Sequence, residues 1–447
     1  MGLINFFKPS PHIKEIENAE EVRSRYRYWR LRIFAGMYVG YAFYYFTRKS
    51  LVFAMPTLMS ALGYSKSQLG ILASILSISY GLSKFLSGIV ADRSNPRAFM
   101  AFGLILTGFF NIFFGFSSSL VLFALFWGLN GWFQGWGWPP CARLLTHWYS
   151  QSERGRWWGL WNTSHNVGGL LIPIVASYYA AQYGWRFALF VPGILSIMAG
   201  LFLIYALRDT PQSLGLPPIE KFMGEESERE VKSHEKELST KQILLQYVLK
   251  NRFIWILAIS YFFIYVVRQG INDWGQLFLF EHKHYSLIKA GSCIGIFELG
   301  GFFGSLAAGF LSDKIYKGRR GPVNVIFSFG VILALLGLWL SPAGRFAFDA
   351  SLMFSIGFFI FGPQMLIGMA AAELAHKKAA GTASGFAGWI GYLGAASAGY
   401  PVGKVSQDYG WSGVFVLLVA CSITATLLLI PLWSVRKRVD QLESSAV

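Results

Sequence analysis

Long apolar stretches follow one another along this chain, broken by short turns that carry basic residues, Gly or Pro. A helix needs about 20 apolar residues to cross the hydrocarbon core of a bilayer. Helices also satisfy their own backbone groups where no water can. The pattern predicts an all-α integral membrane fold with twelve spans. Six are expected near residues 31–53, 69–91, 99–116, 120–148, 157–181 and 187–206, and six near 253–280, 288–312, 322–340, 346–374, 381–405 and 413–433. The short alternating strands of an outer-membrane barrel have no counterpart here. One long polar stretch, which includes Gly224-Glu225-Glu226-Ser227-Glu228-Arg229-Glu230, separates the two sets. Its charges argue for a connector without a core. The expected organisation is therefore 1–207, a cytoplasmic linker at 208–251, and 252–447.

Composition sharpens the picture. Of 447 residues, 54% are hydrophobic and 14% charged, against about 25% charged in soluble domains. The net charge of +16 would suit nucleic acid, but most of the 39 Lys and Arg fall on one set of alternating loops and the termini. That asymmetry sets topology and places both termini in the cytoplasm, so nucleic acid is not an expected partner. The polar N-terminus lacks the apolar core of a signal peptide, and Phe6 breaks the myristoylation pattern that Gly2 would begin. Cys141, Cys293 and Cys421 stand alone in apolar segments and read as packing residues. No Walker loop, nucleophile elbow or metal-ligand spacing is present, so neither an enzyme, a cofactor protein nor an ATP-driven pump is expected.

Self-comparison reveals a duplication. Gly88-Ile-Val-Ala-Asp92-Arg93 recurs as Gly309-Phe-Leu-Ser-Asp313-Lys314, Tyr45-Phe-Thr-Arg48 as Tyr265-Val-Val-Arg268, and Tyr183-Gly-Trp185 as Tyr409-Gly-Trp411, at offsets of about 220–226 residues. Three unrelated patterns agreeing indicate a repeated six-helix unit. Parallel repeats of this kind are the plan of the major facilitator superfamily, and the Gly-x-x-x-Asp-Arg/Lys turn resembles that superfamily's loop between helices 2 and 3. The resemblance implies two pseudo-symmetric halves and a gating or structural role for Asp92, Arg93, Asp313 and Lys314.

A closer resemblance covers nearly the whole chain. Tyr44-Tyr45-Phe46-Thr47-Arg48-Lys49, Gly81-Leu82-Ser83-Lys84-Phe85, Gly137-Trp138-Pro139-Pro140-Cys141, the run Trp161–Gly169 and Arg268-Gln-Gly-Ile-Asn-Asp273-Trp274 are similar to motifs of the organophosphate:phosphate antiporters. Within that family the chain looks most like the hexose-6-phosphate branch. Arg25-Tyr-Arg-Tyr-Trp29-Arg30 and the stretch from Gly362 through Lys378 resemble its sensor subgroup. The resemblance implies a carrier in a bacterial inner membrane that exchanges a hexose 6-phosphate, glucose 6-phosphate above all, for inorganic phosphate; with no partner surface evident, a monomer is the default expectation. The alternative is a carrier-like receptor that senses external sugar phosphate and signals to a membrane kinase. The segment 388–397 lacks the acid and Lys that some hexose-phosphate carriers bear there.

Charges inside the spans carry the chemistry. An ionised side chain at mid-bilayer costs about 2.5–3.5 kcal/mol on insertion scales, yet Arg48 and Arg268 occupy equivalent places in the two repeats. Facing a common cavity, two guanidiniums would clamp a doubly charged phosphoryl group. Pairing with Asp273 or Glu298 is the bland alternative, but Arg48, Lys49, Lys84 and Arg268 outnumber those acids, with Glu373 near the cytoplasmic edge. Lys84 shares a helix face with Tyr80 and suits a phosphate or sugar hydroxyl. Lys49 points about 100° from Arg48 and is read as support or an acid partner, together with Asp273 and Glu298. His165 is either a core histidine or, as the family motif implies, a pH-sensitive donor to phosphate. Tyr41, Tyr45, Tyr80, Trp138, Tyr265 and Tyr392 are candidate walls for a sugar. Repeat symmetry singles out Tyr45 and Tyr265, and the resemblance supports Tyr80, Trp138 and Tyr392.

Overall fold

Each apolar run becomes helix, and among the described residues there is no strand. The structure is a computed structural model that describes residues 7–91, 94–224, 245, 248–374 and 380–435. The helices of the first part are α1 (Ala19–Leu62), α2 (Lys66–Ala91), α3 (Pro96–Phe116), α4 (Leu120–Gln134), α5 (Trp138–Trp148), α6 (Gln151–Asn162), α7 (Ser164–Tyr183), α8 (Phe187–Ala206) and the short α9 (Ile219–Met223). Those of the second are α10 (Arg252–Glu281), α11 (Leu287–Phe310), α12 (Arg320–Leu340), α13 (Phe346–Leu374), α14 (Ala380–Ser397) and α15 (Tyr400–Leu429). By length and composition, seven segments among the described residues can cross a membrane outright. The all-helical plan is consistent with the twelve-span reading.

The helices depart from the expected spans in three places. The span expected at 120–148 is two helices, α4 and α5, parted at Gly135–Gly137. Pro139 and Pro140 then sit in the first turn of α5, where a missing N–H costs nothing. The span expected at 157–181 is α6 and α7, which meet at Thr163. The last pair divides earlier than expected, because α14 stops at Ser397 and α15 begins at Tyr400, with Pro401 in its first turn. Pro401 has no N–H to extend the ladder of α14, and its ring would clash with the carbonyl four residues back, so one continuous helix is disfavoured there. Gly410, at φ 67° and ψ −170°, then interrupts α15 in a conformation open to glycine.

Contacts divide the chain into two units. The first comprises residues 1–51, 79–179 and 185–236, with α3 lying along α8. Its core runs down α1 through Tyr26, Ile33, Met37, Tyr41 and Tyr44 to Trp148, Trp161 and Leu203. The second comprises residues 52–78, 180–184 and 237–447, with α11 along α13 and α10 along α14. Residues 66–74 join it through specific bonds. Lys66 pairs with Glu281 at 2.6 Å, Ser67 Oγ donates to Gln407 at 2.6 Å, and Ser74 Oγ donates to the Ala396 carbonyl at 2.7 Å. In the same unit, the loop after α10 is anchored by a buried network. Lys283 donates to Ser341 Oγ at 2.6 Å, and Tyr285 donates to Asp349 at 2.6 Å. Burial lowers the Lys283 pKa below the ordinary lysine range, and nearby Asp349 offsets part of that.

Candidate functional site

The candidate residues fall into a cluster in each unit. In the first, Tyr41, Tyr45 and Arg48 lie four and three residues apart on α1 and share a face. Arg48 is held from three sides. Its Nε donates to Gln134 Oε1 at 3.2 Å, and its guanidinium carbon lies 4.3 Å from the Tyr80 ring centroid and 4.6 Å from that of Tyr45. Aromatic faces attract a cation without neutralising it. Gln134 is fixed in turn, its Nε2 donating to Thr47 Oγ1 at 2.9 Å and to Asn130 Oδ1 at 3.2 Å. Asn130 closes the set by donating to the Thr47 carbonyl at 2.9 Å.

Lys84 stands one turn past Tyr80 on α2, with its ammonium 5.0 Å from the Trp138 ring centroid and 6.0 Å from that of Tyr80. It borders a cavity of about 600 Å³ lined also by Trp138, Arg143, Thr146 and His147. The His165 ring lies 5.8 Å from the Tyr45 ring. That proximity depends on Gly168, where an added methyl would come within 2.3 Å of the Ala42 carbonyl oxygen and 2.9 Å of Tyr45 Cβ. Tyr41 is buried against Trp161, 4.8 Å between centroids. Lys49 is buried as well, its ammonium 5.6 Å from the Tyr45 ring centroid.

The second unit repeats the arrangement with different neighbours. The Arg268 guanidinium lies 4.5 Å from the Phe361 ring centroid and 6.0 Å from that of Tyr265. Tyr265 meets Tyr261 edge-on at 4.8 Å and Tyr392 at 5.5 Å. Here Gly394 makes the close approach, since a methyl on it would lie 2.2 Å from the Phe262 carbonyl oxygen. Ala42 and Phe262, and Gly168 and Gly394, are separated by the same offsets as the sequence repeats, so the duplication extends to the helix contacts. Asp273 accepts from Gln269 Nε2 at 2.7 Å, and Glu298 is fully buried. Among the described residues, no group of three His, Cys, Asp or Glu is placed to hold a metal.

The repeated Asp-basic turn is visible in one copy. Asp313 accepts from Arg320 at 2.5 Å, and Arg320 also donates to both Glu373 oxygens, at 2.8 Å and 3.1 Å. Lys314 is exposed. Asp92 and Arg93 lie outside the described residues. Sequence reasoning missed Gln134, Asn130, Phe361 and Arg320. The first pair, four residues apart in an apolar helix, was a visible signal. Arg320 ends the basic run Lys317-Gly-Arg-Arg, which topology alone accounts for.

Comparison with known proteins agrees with this architecture. A profile of the Major Facilitator Superfamily matches residues 37–399. The chain is 59% identical over 443 residues to a probable hexose phosphate transport protein of Chlamydia pneumoniae, covering 97% of each. It is 50% identical over 428 residues to the membrane sensor protein UhpC of Escherichia coli K12, covering 96% of this chain and 98% of that one. Among solved structures, a bacterial homologue of the human lysosomal transporter Spinster, inward-facing and occupied, superimposes with a TM-score of 0.73 at 15% identity, covering 90% of this chain and 97% of that one.

Proposed function

The chain belongs to the Major Facilitator Superfamily, and we propose that this multi-pass membrane protein carries a hexose 6-phosphate, glucose 6-phosphate first, in exchange for inorganic phosphate. The observation that carries the proposal is the way Arg48 is held. Two tyrosine faces and a fixed amide hold this side chain, and a guanidinium stays charged and presents a planar fork of donors that matches phosphate oxygens. Arg268, its repeat equivalent, is held over Phe361 and Tyr265. In this reading the two arginines bind the phosphoryl group that both substrates share. Lys84 and His165 add donors, and Tyr41, Tyr45, Tyr80, Trp138, Tyr265 and Tyr392 meet the sugar.

The rest follows from electrostatics. A bound dianion offsets the cationic excess and lowers the barrier for the halves, 1–207 and 252–447, to rock about the linker at 208–251. An empty site keeps its repulsion, so exchange proceeds without another energy source. Lys49, Asp273 and Glu298 are structural charges in this scheme. The Asp313–Arg320–Glu373 cluster, with Asp92 and Arg93 in the other copy, secures the cytoplasmic ends. The protein works as a monomer in a bacterial inner membrane with both termini in the cytoplasm.

A second reading draws on the identity to a sensor protein and on the sensor-like Arg25–Arg30 segment. It makes the same pocket a receptor for external sugar phosphate that acts on a membrane kinase. Proteoliposomes loaded with phosphate decide between the two. Uptake of labelled glucose 6-phosphate that requires internal phosphate supports the carrier. Saturable binding without uptake supports the receptor.

A further inference from the structure

At the N-terminal end of α1, ahead of the first expected span, Arg23, Arg27 and Arg30 follow one another at i, i+4 and i+7 and so line one face. That face borders a cavity of about 710 Å³ in the first unit, a size typical of small-ligand sites. Its floor is aromatic. Tyr26 is buried and stacks on Phe222 of α9 at 4.1 Å and 22°, and Trp157 of α6 closes the far side.

Among the described residues, the charges lining the cavity do not balance. Glu153 is already engaged twice, by an ion pair with Arg30 and by the Trp157 indole N–H at 3.2 Å. Among the described residues, Arg23 and Arg27 have no acidic partner, and the buried Nε of Arg30 has no acceptor. Leu31, at the cavity's edge, and Tyr28, which does not line it, are exposed, at 58% and 54%. Exposed aromatics and apolar side chains beside a span mark the depth of lipid headgroups.

We propose that this cavity is a second anion site, separate from the transport residues, that holds a phosphate ester at the N-terminal end of α1. Three guanidiniums on successive turns suit a tetrahedral oxyanion with several acceptor oxygens. The aromatic floor accepts the ester's carbon side. A phospholipid headgroup and a soluble phosphate share this chemistry, and experiment separates them.

The test uses the purified full-length chain with two probes, phosphatidylglycerol read by native mass spectrometry and inorganic phosphate read as binding stoichiometry. Arg23→Gln/Arg27→Gln removes two cavity charges. Lys14→Gln/Arg25→Gln removes two from the same segment, where each pairs with a neighbouring Glu away from the cavity. The cavity variant should weaken phosphatidylglycerol binding by roughly tenfold or more while the control binds like the parent. Loss of one phosphate equivalent instead would assign the site to a soluble phosphate, which is the same chemistry. Unchanged binding of both probes in the cavity variant overturns the proposal, as does an equal loss in the control.

Discussion

Arg48 donates from Nε to Oε1 of Gln134 at 3.2 Å, and Gln134 is held by Thr47 and Asn130 so that its oxygen stays turned toward the guanidinium. The amide aims the arginine without cancelling its charge. Gln134→Leu removes one hydrogen bond to a charged group and should weaken phosphate binding by about tenfold or more. The half-saturation constant for phosphate homo-exchange in proteoliposomes checks this. An unchanged constant would show that the tyrosine faces alone position Arg48.

Lys84 lies between the Tyr80 and Trp138 rings and borders a cavity with Arg143 and His147. If it meets the sugar end of the substrate, Lys84→Ala should impair glucose 6-phosphate uptake more than phosphate homo-exchange. Equal losses in the two assays would place it in general anion attraction.

The paired close approaches at Gly168 and Gly394 predict a stability effect. Gly→Ala in a helix ordinarily gains up to about 1 kcal/mol. At Gly394 the added methyl meets a backbone oxygen at 2.2 Å, which cannot rotate away. Overpacking of this kind costs about 1–3 kcal/mol, so the net sign is destabilising. Gly394→Ala should lower the melting temperature of the purified protein, whereas Ala at Gly388, where nothing lies within 4 Å of a new methyl, should not.

His165 beside Tyr45 predicts a pH effect. If the protonated ring donates to bound phosphate, its contribution is present at low pH and lost as pH rises. Phosphate itself gains charge over the same range and favours the arginines, so the wild-type curve mixes two trends. His165→Gln keeps a donor that cannot titrate. Phosphate affinity should therefore rise more steeply with pH in the variant than in the parent. Parallel curves from pH about 5.5 to 8.5 would return the ring to packing.

The apolar spans were legible in sequence because long apolar runs seldom arise by accident, and Arg48 and Arg268 stood out as charges within them. Other features were not. Gln134 is neutral, and neutral polar residues are common enough in spans to carry little signal alone. The breaks at Gly135–Gly137 and Thr163 vanish when hydropathy is averaged over a whole span. The partners of Lys66, namely Glu281 and the Trp411 ring 4.5 Å away, lie more than two hundred residues distant, where no local pattern reaches.

The proposed exchange requires that Arg48 and Arg268 bind the phosphoryl group by their fork geometry and not by charge alone. Arg48→Lys and Arg268→Lys keep the charge and remove the fork. Phosphate:phosphate exchange in proteoliposomes, at matched protein content and with folding verified, should fall by at least about tenfold in each. Near-wild-type exchange in both variants would contradict the account.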